Sequence, residues 1–167
     1  MIKGWKYLLI PVVIILVLIL FRKPIVSIMA KGYKNNNPGN IRLTFDSVGN
    51  KIIVYEGEIL GSNNSFRTFE SMAYGYRAIF SLLTHYVNTE GLNTIRKIIS
   101  TYAPSSENDT ESYINEISGL TNIGPDDIID ITDTDFFQQL VAAMSYQENG
   151  IEADMADVNS GLNLLYA

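Results

Sequence analysis

From Tyr7 to Phe21 the chain reads YLLIPVVIILVLILF, fifteen residues without a charge and without a polar face. A helix that is apolar all round must be covered by lipid or by a large core, so this run constrains the fold before any other feature does. Counted from Trp5 it spans 17 residues, about 25 Å of helix at roughly 1.5 Å per residue, the short end of a membrane span. Trp5 and Tyr7 stand where interfacial aromatics stand, and Arg22 and Lys23 can snorkel at the other end. Pro11 falls in the first turns, where a missing amide donor costs least. These features predict one N-terminal transmembrane helix, with residues 5–21 in a lipid membrane and a single-pass location. A cleaved signal peptide competes, but Arg22-Lys23 directly after the run and Ile28-Met29-Ala30 form a poor cleavage region. A buried core helix is the third reading, disfavoured by the lack of a polar face.

Charge divides at the same place. Residues 1–34 carry Lys3, Lys6, Arg22, Lys23, Lys31 and Lys34 and no acid, a net of +6. Residues 35–167 carry the other six basic residues and all eighteen acids, a net of −12. The basic collar suits anionic headgroups, while the acidic body excludes a nucleic-acid partner, which wants a basic face. The 167 residues include no cysteine, so disulfides and thiol chemistry are excluded. The organisation expected is an anchor with basic flanks at 1–31 and one compact domain at 32–167, long enough for a single core.

Within that domain the period changes once. Ile41 to Leu60 has strand character, with a Ser-Val-Gly-Asn turn at 47–50, and Phe66 to Phe69 can form a third short strand. Met72 to Thr89 then sets Ala73, Tyr76, Ile79, Phe80, Leu83 and Val87 on one helical stripe, stopped by Gly91. Further helices are expected at Thr94–Tyr102, from an Asp109 or Thr110 cap through Ile117, from a Thr134 or Asp135 cap through Gln147, and in the tail. The fold class expected is mainly α (α+β), with a small antiparallel β element near the start of the domain.

The densest local signal is Asn35-Asn36-Asn37-Pro38-Gly39-Asn40-Ile41-Arg42. Alone it describes a turn, with Pro38 setting φ and Asn side chains capping their own backbone. It is followed by Phe66-x-x-Phe69-x-Ser71, by a helix carrying Gly75-x-Arg77-Ala78 and Leu82-Leu83, and by Thr101-Tyr102-Ala103-Pro104 leading to Tyr113-Ile114. This ordered series, over about residues 32–150, resembles the lysozyme-like superfamily in its glucosaminidase and lytic transglycosylase branches. It looks most like bacteriophage virion-associated lytic proteins with an Asn-Pro-Gly-Asn-Ile-Arg signature.

The resemblance implies a peptidoglycan-cleaving enzyme acting on the MurNAc–GlcNAc bond, located in a virion internal membrane or the host cell envelope, with glycan strands and other virion proteins as partners. Such chemistry needs one carboxylic acid at the edge of a cleft, kept protonated by a partly apolar setting. Glu148 is the leading candidate. It ends the apolar helix through Phe137 to Gln147, where the negative end of the helix dipole raises a carboxyl pKa. Glu70 is the runner-up, although its place before a helix start is equally that of a cap. With Glu148 as the acid, the motif comes first and the catalytic helix last, so the lysozyme-like domain is expected to be circularly permuted. Asn37, Asn40 and Arg42 are then the substrate binders, with Tyr33, Tyr74 or Tyr146 as stacking platforms. Asp46, Glu56, Glu58 and Asp154 are the acids available as a second carboxylate for hydrolysis. None stands out, so a lytic transglycosylase is favoured over a muramidase or glucosaminidase. The alternative from another class is a non-catalytic structural or glycan-binding virion protein.

No metal or other cofactor is expected. His85 is the only histidine, and Asp126, Asp127, Asp130, Asp133 and Asp135 lack the glycine and terminal glutamate of a calcium loop.

Overall fold

The computed structural model describes residues 31–60 and 65–167, and Lys31–Ala167 forms one compact unit. The elements are α1 (Lys31–Lys34), β1 (Thr44–Phe45), β2 (Lys51–Ile52), β3 (Glu58–Ile59), β4 (Thr68–Phe69), α2 (Met72–Asn88), α3 (Ile95–Tyr102), α4 (Thr110–Thr121), α5 (Thr134–Asn149) and α6 (Met155–Leu165). The described unit is mainly helical, with two small antiparallel sheets, β1–β2 and β3–β4.

One expectation is corrected. Among the described residues no helix is long and apolar enough to cross a membrane. The longest, α2, has 17 residues and buries only one stripe, through Tyr76, Ile79, Phe80 and Leu83, while His85 and Asn88 face solvent. The fold class that included a transmembrane helix, and the single-pass location drawn from it, are therefore replaced by a helical domain with minor sheets. The run at 5–21 that prompted them lies outside the described residues.

Helix starts follow local hydrogen-bond chemistry. Ser71, Thr94, Asp109, Asp133 and Asp154 each accept from a first-turn backbone N–H, and such a cap contributes about 1 kcal/mol. At α5 the cap is Asp133, one residue before the expected Thr134 or Asp135, because its carboxylate accepts from both Asp135 N and Phe136 N at 3.1 Å.

The strands are shorter than Ile41–Leu60 suggests. Glu58 Oε2 accepts from Val54 N at 3.0 Å and Tyr55 N at 3.4 Å, removing those donors from any ladder. The same carboxylate takes Arg67 Nη1 at 2.6 Å. Arg67 also donates to Ile52 O at 3.2 Å and Thr44 Oγ1 at 2.7 Å, and its guanidinium lies 5.1 Å from the Tyr55 ring centroid. A fully buried ion pair therefore holds the two sheets together, where regular pairing would otherwise be needed.

The core runs through all five long helices. Phe80 of α2 meets Phe137 of α5 edge to face at 4.8 Å between ring centroids, with Ile98, Ile99, Ile114, Ile117, Val141, Met144 and Val158 fully buried around them. Each such side chain contributes about 1.5–3 kcal/mol on burial. Helix α6 lies close on α2 because Gly161 lacks a Cβ: one placed there would sit 2.6 Å from Tyr76 Cβ and 2.8 Å from Ala73 O.

Candidate active site

The Asn-Pro-Gly segment is a scaffold. Asn36 and Asn40 take positive φ, 50° and 49°, the left-handed region that asparagine tolerates better than most residues. Asn37 is fully buried. Its Nδ2 donates to Ile41 O and Arg67 O, both at 3.0 Å, and its Oδ1 accepts from Ile41 N at 2.9 Å. It is thus fully engaged with backbone and cannot reach a ligand as placed. Gly39 admits the Tyr102 hydroxyl, which donates to Gly39 O, and Gly75 of α2 lies directly under Asn36 and Pro38.

This turn is docked on the end of α5. Asn149 Nδ2 donates to Pro38 O at 2.7 Å. Asn40 Nδ2 donates to Glu148 Oε2 at 3.0 Å and to Glu148 O at 3.3 Å. Two sequence-predicted residues 108 apart in the chain are therefore in direct contact. Glu148 is the penultimate residue of α5, and Gly150 closes the helix in the left-handed conformation with its N–H on Tyr146 O at 2.7 Å.

Glu148 also accepts from the Tyr113 hydroxyl, at 3.1 Å on Oε1. Burial raises its carboxyl pKa above the ordinary value, while the hydrogen bonds from Asn40 and Tyr113 and the charge of Arg42 pull it down. Burial pushes the Tyr102 and Tyr113 phenols well above their ordinary range, so both remain neutral donors. The two rings pack edge to face at 6.5 Å.

These groups open onto a cleft of about 470 Å³. Asn40, Arg42 and Glu148 line it, and its aromatic walls are Tyr55, Phe66, Tyr86 and Tyr102. The other expected platforms lie elsewhere. Tyr33 donates to Glu152 O at 3.4 Å, Tyr74 packs beneath Gly57, and Tyr146 borders a separate, largely apolar depression with Leu120 and Met155. Glu70 is exposed at the α2 start, outside the cleft, with its N–H on Gly57 O. The acids considered as a second carboxylate are engaged elsewhere: Glu58 with Arg67, Glu56 with Arg77, Asp46 inside its own hairpin turn, and Asp154 as a helix cap. Glu107 lines the cleft, paired with Arg42 at 2.6 Å. Among the described residues no cluster of His, Cys, Asp or Glu is arranged to hold a metal ion.

Sequence reasoning missed Tyr113 and Tyr102 as neighbours of the acid. The only hint was their place in the 101–114 series, because nothing local distinguishes them from the other tyrosines. Arg67, likewise missed, is hidden in the Phe-Arg-Thr-Phe alternation.

No protein-family profile matches the chain. It is 34% identical over 122 residues to Protein P5 of Pseudoalteromonas phage PM2, covering 72% of this chain and 72% of that protein. The chain belongs to the Protein P5 family. That name carries no activity, so the chemistry of this family member is argued from its cleft.

Proposed function

We propose that this chain is a phage lytic transglycosylase that cleaves peptidoglycan at the MurNAc–GlcNAc bond, with Glu148 as its single general acid and base. One observation carries the reading: a half-buried carboxyl at a helix end, in a cleft, with a raised pKa and two neutral donors on it. The phage origin of the relative supports the setting. The resemblance of the motif series to lytic enzymes supports the substrate.

In the proposed reaction the protonated Glu148 gives its proton to the glycosidic oxygen, the C1–O bond breaks, and the GlcNAc side leaves as an alcohol. The carboxylate that remains accepts hydrogen bonds from Asn40 and Tyr113. It then takes the proton from the muramyl 6-hydroxyl as O6 bonds to C1, giving a 1,6-anhydro end and restoring the acid. Water does not enter the balance, so no second carboxylate is required, in keeping with the engagement of Asp46, Glu56, Glu58 and Asp154 outside the reaction. The aromatic walls offer stacking faces for sugar rings.

The test is to incubate the full chain with purified peptidoglycan and analyse the products by mass spectrometry. Anhydro-muropeptides that vanish in Glu148→Gln support the reading. A reducing-end product makes the enzyme a hydrolase, and glycan binding without any product makes it a binding protein of the virion. Full activity in Glu148→Gln moves the acid elsewhere.

A further inference from the structure

We propose that Arg42 forms a subsite for a carboxylate carried by the glycan, and that Glu107 occupies this subsite until substrate arrives. The inference rests on the glycan-cleaving reading above and names what the same cleft selects.

Arg42 Nη2 donates to Glu107 Oε2 at 2.6 Å, with the two side chains 70% and 50% exposed. The pair joins two separate chain segments that both line the cleft. The Arg42 backbone is held by its bridge to Phe66, and Glu107 sits in the turn after α3, with its N–H on Pro104 O at 3.0 Å. An ion pair this exposed is weakly held, because water competes for both partners. The second arginine lining the cleft, Arg67, is 2% exposed and committed to Glu58, Ile52 and Thr44. Among the described lining residues, Arg42 is thus the cation a ligand can reach.

A guanidinium is matched to a carboxylate by a two-pronged donor fork. In the resting cleft Glu107 supplies that carboxylate from within the chain. A ligand carboxylate must displace it, and a neutral glycan has no reason to. Muramyl glycans carry such groups, as the lactyl acid of a bare strand or as the free acids of a peptide stem, whereas chitin carries none. The cleft therefore favours muramyl glycans over neutral ones, and Glu107 sets how strongly.

The measurement is calorimetric titration of the full-length Glu148→Gln chain, which leaves ligands intact, with three glycans. These are chitotetraose, the peptide-free GlcNAc–MurNAc tetrasaccharide, and the same tetrasaccharide with tetrapeptide stems. The expected result is tighter binding of at least one muramyl glycan than of chitotetraose. Adding Glu107→Gln strengthens that binding by about two- to fivefold, the worth of one exposed ion pair, and leaves chitotetraose unchanged. Adding Arg42→Gln erases the preference. The muramyl ligand that responds shows whether the carboxylate is lactyl or peptidic. Equal affinity for all three glycans, or a preference indifferent to both substitutions, overturns the subsite while glycan binding stands. Failure to bind any of the three defeats the glycan reading as well.

Discussion

Replacing Asn37 with Ala separates a scaffold from a ligand-binding residue. The side chain is fully buried and makes three hydrogen bonds to backbone, at 2.9, 3.0 and 3.0 Å. Each is worth about 1 kcal/mol net, and a buried donor left unpaired adds about 1–3 kcal/mol. Ile41 O keeps a partner in Arg67 N at 2.9 Å, so the heaviest loss falls on Ile41 N–H. The sum is about 4–6 kcal/mol, a large share of the roughly 5–15 kcal/mol that holds a domain folded. For a unit of this size that lowers Tm by about 10–20 °C. Thermal and urea unfolding followed by far-UV circular dichroism measures it. Asn37→Asp is expected to be at least as damaging at neutral pH, since it sets a carboxylate oxygen against two carbonyls. A Tm unchanged in Asn37→Ala, together with weakened glycan binding, would refute the scaffold argument and restore Asn37 as a ligand contact.

Gly75→Ala places a Cβ 2.0 Å from Asn36 O and 2.5 Å from Pro38 Cδ. That clash with backbone should cost about 3 kcal/mol, at the upper end for overpacking, and is read as a fall in the urea midpoint. Glu58→Gln leaves the Arg67 guanidinium buried without its counter-charge; a loss of about 3–5 kcal/mol is expected, again by urea unfolding. Tyr113→Phe removes a hydrogen bond that favours the charged form of Glu148, so its pKa should rise further. Because the proposed reaction needs the acid form, the alkaline limb of the kcat/KM–pH profile should move to higher pH; a move to lower pH would contradict the assignment. For stability the sign runs the same way. Glu148 is raised from 4.5, so its favourable contribution is complete below the unfolded value and is lost as pH rises through the folded one. Glu148→Gln should therefore be more stable than the parent at neutral pH and approach it in acid, which thermal melts across pH will show.

Much of the helical frame is legible in the sequence because its signals are local. The stripe Tyr76, Ile79, Phe80 and Leu83 announces α2, and Gly150 after Glu148-Asn149 marks the end of α5. The sheets are less legible, since Glu58 takes the Val54 and Tyr55 N–H groups that period-two patterning assigns to a ladder. Aromatic roles are not legible at all: Tyr33, Tyr74 and Tyr146 match Tyr55, Tyr86 and Tyr102 in chemistry and differ only in what the fold sets beside them. The apolar run at 5–21 carries the opposite lesson. It is the strongest pattern in the chain, and no helix of the described unit resembles it.

By itself the sequence determined where the long helices lie, the acidic character of residues 35–167, and the presence of a glutamate at a helix end. Those properties follow from periodicity, capping and charge, which act over a few residues. Only the tertiary structure decided that Asn37 is structural while Asn40 touches Glu148, that Tyr113 completes the surroundings of Glu148, and that Arg42 meets Glu107 in the cleft lining. Each of these depends on segments at least 30 residues apart being brought within hydrogen-bond distance. No local pattern encodes that, because burial, which raises the pKa of Glu148, is a property of the packed core.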